Sequence, residues 1–291
     1  MKLVLIGNGF DLAHGLKTSY MDFYCYNLNT NNGRAFIESL DKLSLKNQNE
    51  LWSDFENNLG DLVHDNVLDE ELQRRQEFND EFDYGPLDDS HITTTLIKEY
   101  YYPLHELDNL VKEWIQSVEL MISPLKKFQD IFFEDDKYIT FNYTKTLEEV
   151  YQIDSEKILH IHGVSDCEPI MGHGRDANLQ REYNIYRDPL IEEFVNRMDA
   201  EFDEFYKSCK KEITEFIFYI EEFIGTYENE FDEILVLGHS LGKVDIPYFQ
   251  KINSLLPNLR WRIDYFNESD LKKKEEAIKQ LKIKKYELIK I

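Results

Sequence analysis

The first twenty residues constrain this chain most. Leu3-Val4-Leu5-Ile6 is a short apolar run that reads as a buried strand. Gly7-Asn8-Gly9 follows it directly, ahead of Phe10-Asp11-Leu12-Ala13-His14-Gly15. A strand that runs into glycines and then into a helix start is how α/β proteins offer backbone N–H groups to a phosphate. Glycine lacks a Cβ, so it permits close backbone approach and turns with φ > 0. The expectation is an N-terminus that binds a nucleotide-like anion. The dinucleotide fingerprint is incomplete, however. Leu12 stands where a third glycine or an alanine belongs, and Asn27 and Asn29 occupy the region where an acidic ribose ligand is expected.

Five further runs read as strands: 137–142, 157–162, 233–237, 259–266 and 286–291. Several close in Gly, Asn or His, at the edge where open α/β sheets place ligands. Between them the text turns helical. Leu51, Phe55, Leu59 and Leu62 recur at helical spacing beside Trp52, and 92–133 is broken by Pro103 and Pro124. The stretch 190–227 is helical and very acidic. Its Phe194, Met198, Phe202, Phe205, Ile213, Phe216 and Ile220 form a stripe suited to core or partner-facing packing rather than to a cofactor. Residues 65–89 are polar and acidic and read as loop-rich. The whole predicts a parallel sheet in a single domain over 1–291, with two large helical insertions at about 35–135 and 180–230.

Composition narrows the function. The 291 residues carry a net charge of −24, which argues against a broad nucleic-acid surface, because phosphate neutralisation needs clustered Lys and Arg. The exception is 271–291, with eight Lys against three Glu, which reads as a solvated amphipathic helix leading into the last strand. Cys25, Cys167 and Cys209 are too far apart for a zinc knuckle or a disulfide framework. The N-terminal apolar run is too short for a signal peptide, and no stretch reaches the about 18 apolar residues of a membrane span. A soluble cytoplasmic protein is the expectation.

Three motifs join the opening one. Asn142, closing the 137–142 strand, has an amide that can donate and accept, which suits a sugar hydroxyl or a water; it equally suits a helix cap, since 144–150 looks helical. His160 and His162 share a face if the strand continues through both, and could serve as base or as metal ligands, with His173 and His239 as the other candidates. Gly238-His239-Ser240-Leu241-Gly242 matches the nucleophile elbow of α/β-hydrolases. No histidine follows position 239, so the chain order that fold needs for its triad is missing.

Together these segments resemble the sirtuin-like NAD-binding proteins. Gly7-Asn8-Gly9 with Gly15-Leu16 stands for the glycine loop, and Thr140-Phe141-Asn142-Tyr143-Thr144 for the asparagine-bearing strand end. Ile161-His162-Gly163 stands for the histidine, and Gly238-His239-Ser240-Leu241 with Val244-Asp245-Ile246-Pro247 for the last loop. Residues 6–20, Trp52-Ser53-Asp54-Phe55-Glu56 and the later motifs also resemble, more closely, the AbiH family of bacteriophage abortive-infection proteins, over about 3–268.

The resemblance implies a Rossmann-like parallel sheet of the sirtuin (DHS-like) type and an NAD glycohydrolase that releases nicotinamide and ADP-ribose. Asn142 would position the attacking water or the ribose, and His162 would be the base. Gly7, Asn8, Gly9, Phe10, Asp11, His14, His160, Gly238, His239 and Ser240 would contact the nucleotide. Thr144 replaces the family's aspartate, no four-cysteine zinc module exists, and Asp11 is equally suited to a structural role or to a ribose. Glu56 reads as an exposed carboxylate more readily than as a pocket acid. A non-catalytic nucleotide-binding module and a metal-dependent phosphatase or nuclease are the other readings. Abortive systems stay silent until triggered, so self-association, a protein partner or a phage-derived trigger is expected.

Overall fold

The computed structural model describes residues 1–82, 89–163, 170–175 and 189–290. Cys167 lies outside them. The chain divides into two compact units: Met1–Asp22, Val111–Ile170 and Lys211–Ile291 form the first, and Phe23–Leu110 with Met171–Lys210 the second.

The first unit is an α/β structure around six parallel strands: β1 (Lys2–Ile6), β2 (Lys137–Thr140), β3 (Ile158–His160), β4 (Glu233–Leu237), β5 (Arg260–Asp264) and β6 (Tyr286–Ile289). Their order is β3-β2-β1-β4-β5-β6. The chain therefore builds outward in one direction from β1 and returns to build in the other from β4, so the order reverses between β1 and β4. Alternation along the central strands feeds two apolar layers. Leu3, Leu5, Ile234 and Val236 pack with Ile220, Ile224, Phe249, Ile252 and Ile278 from three helices on one face. Val4, Ile6, Leu235 and Leu237 pack with Phe10, Phe128 and Leu147 on the other. All six anticipated strands form; the central β1 and β4 are apolar runs buried on both faces, as is common in parallel sheets, whereas β5 alternates and β6 is only partly buried.

The described part of the second unit is helical. Phe23, Phe36, Trp52 and Phe55 form its aromatic centre, with Trp52 and Phe55 stacked at 4.4 Å. His64 is buried against Phe202, with Tyr101 at Nδ1 and Asp199 2.8 Å from Nε2. Two expectations are corrected here. The stretch from Asp65 to Phe82 is a helix, not a loop; Val67 and Leu68 are buried on it, and buried Glu71 bonds the Tyr100 hydroxyl and Arg74. Glu56 is buried, not exposed. The 190–227 stretch is two helices, Pro189–Ser208 and Ile213–Tyr227. The first contributes Phe194, Met198, Phe202 and Phe205 to the core of the second unit, and the second contributes Ile220 and Ile224 to the core of the first. The aromatic stripe is core, as read, but it serves two cores. Among the described residues no helix is long and apolar enough to cross a membrane.

Candidate functional site

The carboxyl ends of β1, β2, β3 and β4 carry almost every residue singled out from the sequence. At the switch between β1 and β4 the two loops pack directly on each other. Gly7 N donates to Leu237 O at 2.9 Å, and Gly9 N to Gly238 O at 2.7 Å. A Cβ on Gly7 would overlap the His239 backbone and ring, and Gly238, at φ +64°, has no room for one against Phe10 N. These glycines are required by that close approach. Their amides are engaged within the fold rather than turned toward a phosphate. Asn8 is exposed, and its side-chain amide donates to Thr18 O. Phe10 is core, and His14 is tied at both nitrogens, Nδ1 to Phe10 O and Nε2 to the Tyr151 hydroxyl, each at 2.7 Å. Burial lowers the His14 pKa, against the pull of the Phe10 carbonyl.

Two buried clusters stand at this edge. The first joins β1 to β2. Asp11, 1 % exposed, lies inside the Asn8–Ala13 helix and does not cap it. Its carboxylate accepts from Thr144 Oγ1 at 2.6 Å, from Thr146 Oγ1 at 2.8 Å and from the Asn142 side chain. Burial among neutral groups pushes its pKa up to about 6, against the lowering effect of those hydrogen bonds. Asn142 is 5 % exposed and caps no helix; the next helix starts at Thr146 with Lys145 as its cap. With its amide given to Asp11, its Oδ1 has no hydrogen-bond partner among the described residues. A buried acceptor left so is costly, at about 1–3 kcal/mol, and marks a place where a ligand donor is wanted.

The second cluster joins β3 to β4 and holds four ionisable groups. His162 Nε2 lies 3.2 Å from Lys211 Nζ and 3.4 Å from Asp245 Oδ1. His239 Nε2 lies 3.4 Å from Asp245 Oδ2. The Leu241 amide donates to His239 Nδ1 at 2.9 Å, so the His239 proton sits on Nε2 and faces Asp245. Burial opposes ionisation of Asp245, but the adjoining His162 and His239 imidazoles and the charge of Lys211 outweigh it and hold the carboxyl well below its ordinary range. Phe141 stands edge-on to both imidazoles, at 5.6 and 4.4 Å. Among the described residues no three His, Cys, Asp or Glu groups are placed to hold a metal ion.

Residues 3–265 match the family described as Bacteriophage abortive infection AbiH. The chain belongs to the AbiH family. Neither a curated protein nor a solved structure matches it. The family implies a defence role in phage abortive infection.

In this AbiH-family chain His160 and His162 do not act as a pair. The strand ends at His160, so the two-residue alternation stops there. His160 Nε2 instead meets Glu148 Oε1 at 2.7 Å. Ser240 is exposed, while the neighbouring His239 is the buried, networked residue. Asp245 and Lys211 were not singled out from the sequence. Asp245 had a signal: it precedes the Ile246–Leu255 helix at the N-cap, with Pro247 in the first turn, yet its carboxylate makes no cap bond and turns to the histidines. Lys211 had none, because a Lys-Lys pair between acidic helices reads as surface.

Proposed function

We propose that this protein is an NAD glycohydrolase of phage defence, splitting the nicotinamide–ribose bond with water to give nicotinamide, ADP-ribose and a proton. Asn142 carries the reading. It is a buried amide held by Asp11, with a spare acceptor at the carboxyl end of β2, next to the strand whose end delivers His162. Bond cleavage builds positive charge on the ribose. Asn142 Oδ1 would accept from the attacking water or a ribose hydroxyl, and His162 would take the proton. The β3-β2-β1-β4-β5-β6 order, with its reversal between β1 and β4, supports a Rossmann-like, sirtuin-like ancestry for the sheet. Because the Gly7 and Gly9 amides are engaged, pyrophosphate contacts fall to exposed Asn8 and Ser240.

In the cytoplasm the resting protein would turn over slowly until a phage-derived trigger, a partner or self-association raises its rate. The purified protein should release nicotinamide and ADP-ribose from NAD, read by HPLC. Asn142→Ala and His162→Ala should each cut the rate by about 100-fold or more, the scale of positioned acid–base catalysis, with little change in melting temperature. A nucleotide-binding module without turnover is the second reading, favoured by the hold of Lys211 on His162. It predicts that NAD raises the melting temperature with no nicotinamide released.

A further inference from the structure

The contacts of His162 to ionisable groups converge on one ring atom. Lys211 Nζ and Asp245 Oδ1 both approach Nε2, at 3.2 and 3.4 Å, and one nitrogen cannot serve both. A lysine ammonium only donates, so it needs the Nε2 lone pair and leaves the ring proton on Nδ1. A carboxylate only accepts, so it needs Nε2–H and leaves Nδ1 as a lone pair. The hydrogen bond at one imidazole nitrogen fixes what the other can do. Nδ1 therefore carries the proton when Lys211 holds Nε2 and a lone pair when Asp245 does.

We propose that Lys211 and Asp245 are opposed positioning residues that select the tautomer of His162. Lys211 holds it as a donor at Nδ1 in the resting protein, and Asp245 stands ready to hold it as a base. Neither residue touches the reacting atoms. Lys211 is the nearer partner and is 2 % exposed, so it cannot swing into water without local rearrangement. Asp245 is already fixed by His239, whose Nε2–H faces its other oxygen, so Oδ1 is presented to His162 whether or not Lys211 is there. Removing the ammonium transfers the ring proton from Nδ1 to Nε2 and bares a lone pair at Nδ1, with the net charge of the imidazole unchanged. The arrangement matches the way a buried aspartate holds a catalytic histidine in the base tautomer. The lysine is the added element, and it masks that form.

The tautomer can be read directly from two-bond proton–nitrogen NMR spectra of the full chain labelled with 15N-histidine. His162 is assigned by the signal lost in His162→Ala. Wild type should carry the ring proton on Nδ1, Lys211→Met should carry it on Nε2, and Asp245→Asn should keep it on Nδ1. A wild-type proton on Nε2 overturns the proposal without need of any variant. A folded Lys211→Met with the wild-type tautomer overturns it as well. The kinetic arm rests on the glycohydrolase reading: Lys211→Met should raise kcat for nicotinamide release about tenfold with KM unchanged. A tautomer switch with no nicotinamide released by any form would support this inference and defeat the glycohydrolase reading, so the two fail separately.

Discussion

Asp11 and Asp245 are both withdrawn from water at the carboxyl edge of one sheet, and their carboxyls are driven in opposite directions. Asp11 meets hydroxyls and an amide, and its pKa rises to about 6. Asp245 meets two imidazoles and an ammonium, and its pKa falls well below the ordinary value. Burial is common to both, so the neighbours decide: hydroxyls and an amide do not repay the cost of burying a charge, whereas an ammonium beside two imidazoles does. The contrast separates two jobs. The Asp11 cluster orders the end of β2 and aims Asn142 without concentrating charge. The Asp245 cluster concentrates charge around two histidines, where proton chemistry can be tuned.

The largest effect should come from breaking the frame that both clusters share. Gly238→Ala forces a Cβ into left-handed backbone against Phe10. Strain of about 1–3 kcal/mol and overpacking of a similar size should together remove about 2–6 kcal/mol, seen as a lowered urea midpoint. Asp245→Ala comes next. It leaves Lys211 buried without that carboxylate, and about 3 kcal/mol should be lost, most of it restored in the double variant Asp245→Ala with Lys211→Met.

Titration sharpens the contrast. A raised carboxyl stabilises the fold only while protonated. The Asp11 contribution is therefore full below about pH 4 and is lost as pH rises to about 6. Relative to Asp11→Asn, wild type should lose up to about 3 kcal/mol over that window, measured by urea denaturation at stepped pH. Asp245 has the opposite sign: its contribution is present above about pH 4 and disappears as pH falls, so Asp245→Asn should flatten the acid limb. The smallest effect should be that of Ser240→Ala. The residue is exposed, and stability should change by less than about 0.5 kcal/mol.

The sheet was legible because its central strands are apolar runs, several of them ending near Gly, Asn or His, and β5 alternates; local pattern fixes such strands. The Asp65–Phe82 helix was not, because its acidic surface hides a narrow apolar face. Glu56 was misjudged because a carboxylate on an amphipathic text reads as solvated, and only tertiary packing buries it. At the site, motif spacing brought out Asn142, His162 and His239. It could not bring out Lys211, which joins His162 across 49 positions of chain. It also misread His160, because whether a strand continues for two more residues is a tertiary matter.

The proposed consumption of NAD at Asn142 and His162 of this AbiH-family protein would leave its signature in infected cells. The most direct test is to measure cellular NAD through phage infection in cells carrying wild type, Asn142→Ala or His162→Ala at matched protein levels. NAD should collapse after infection only in wild type, and protection should be lost with either substitution. Protection that persists while NAD stays level in wild-type cells would contradict it.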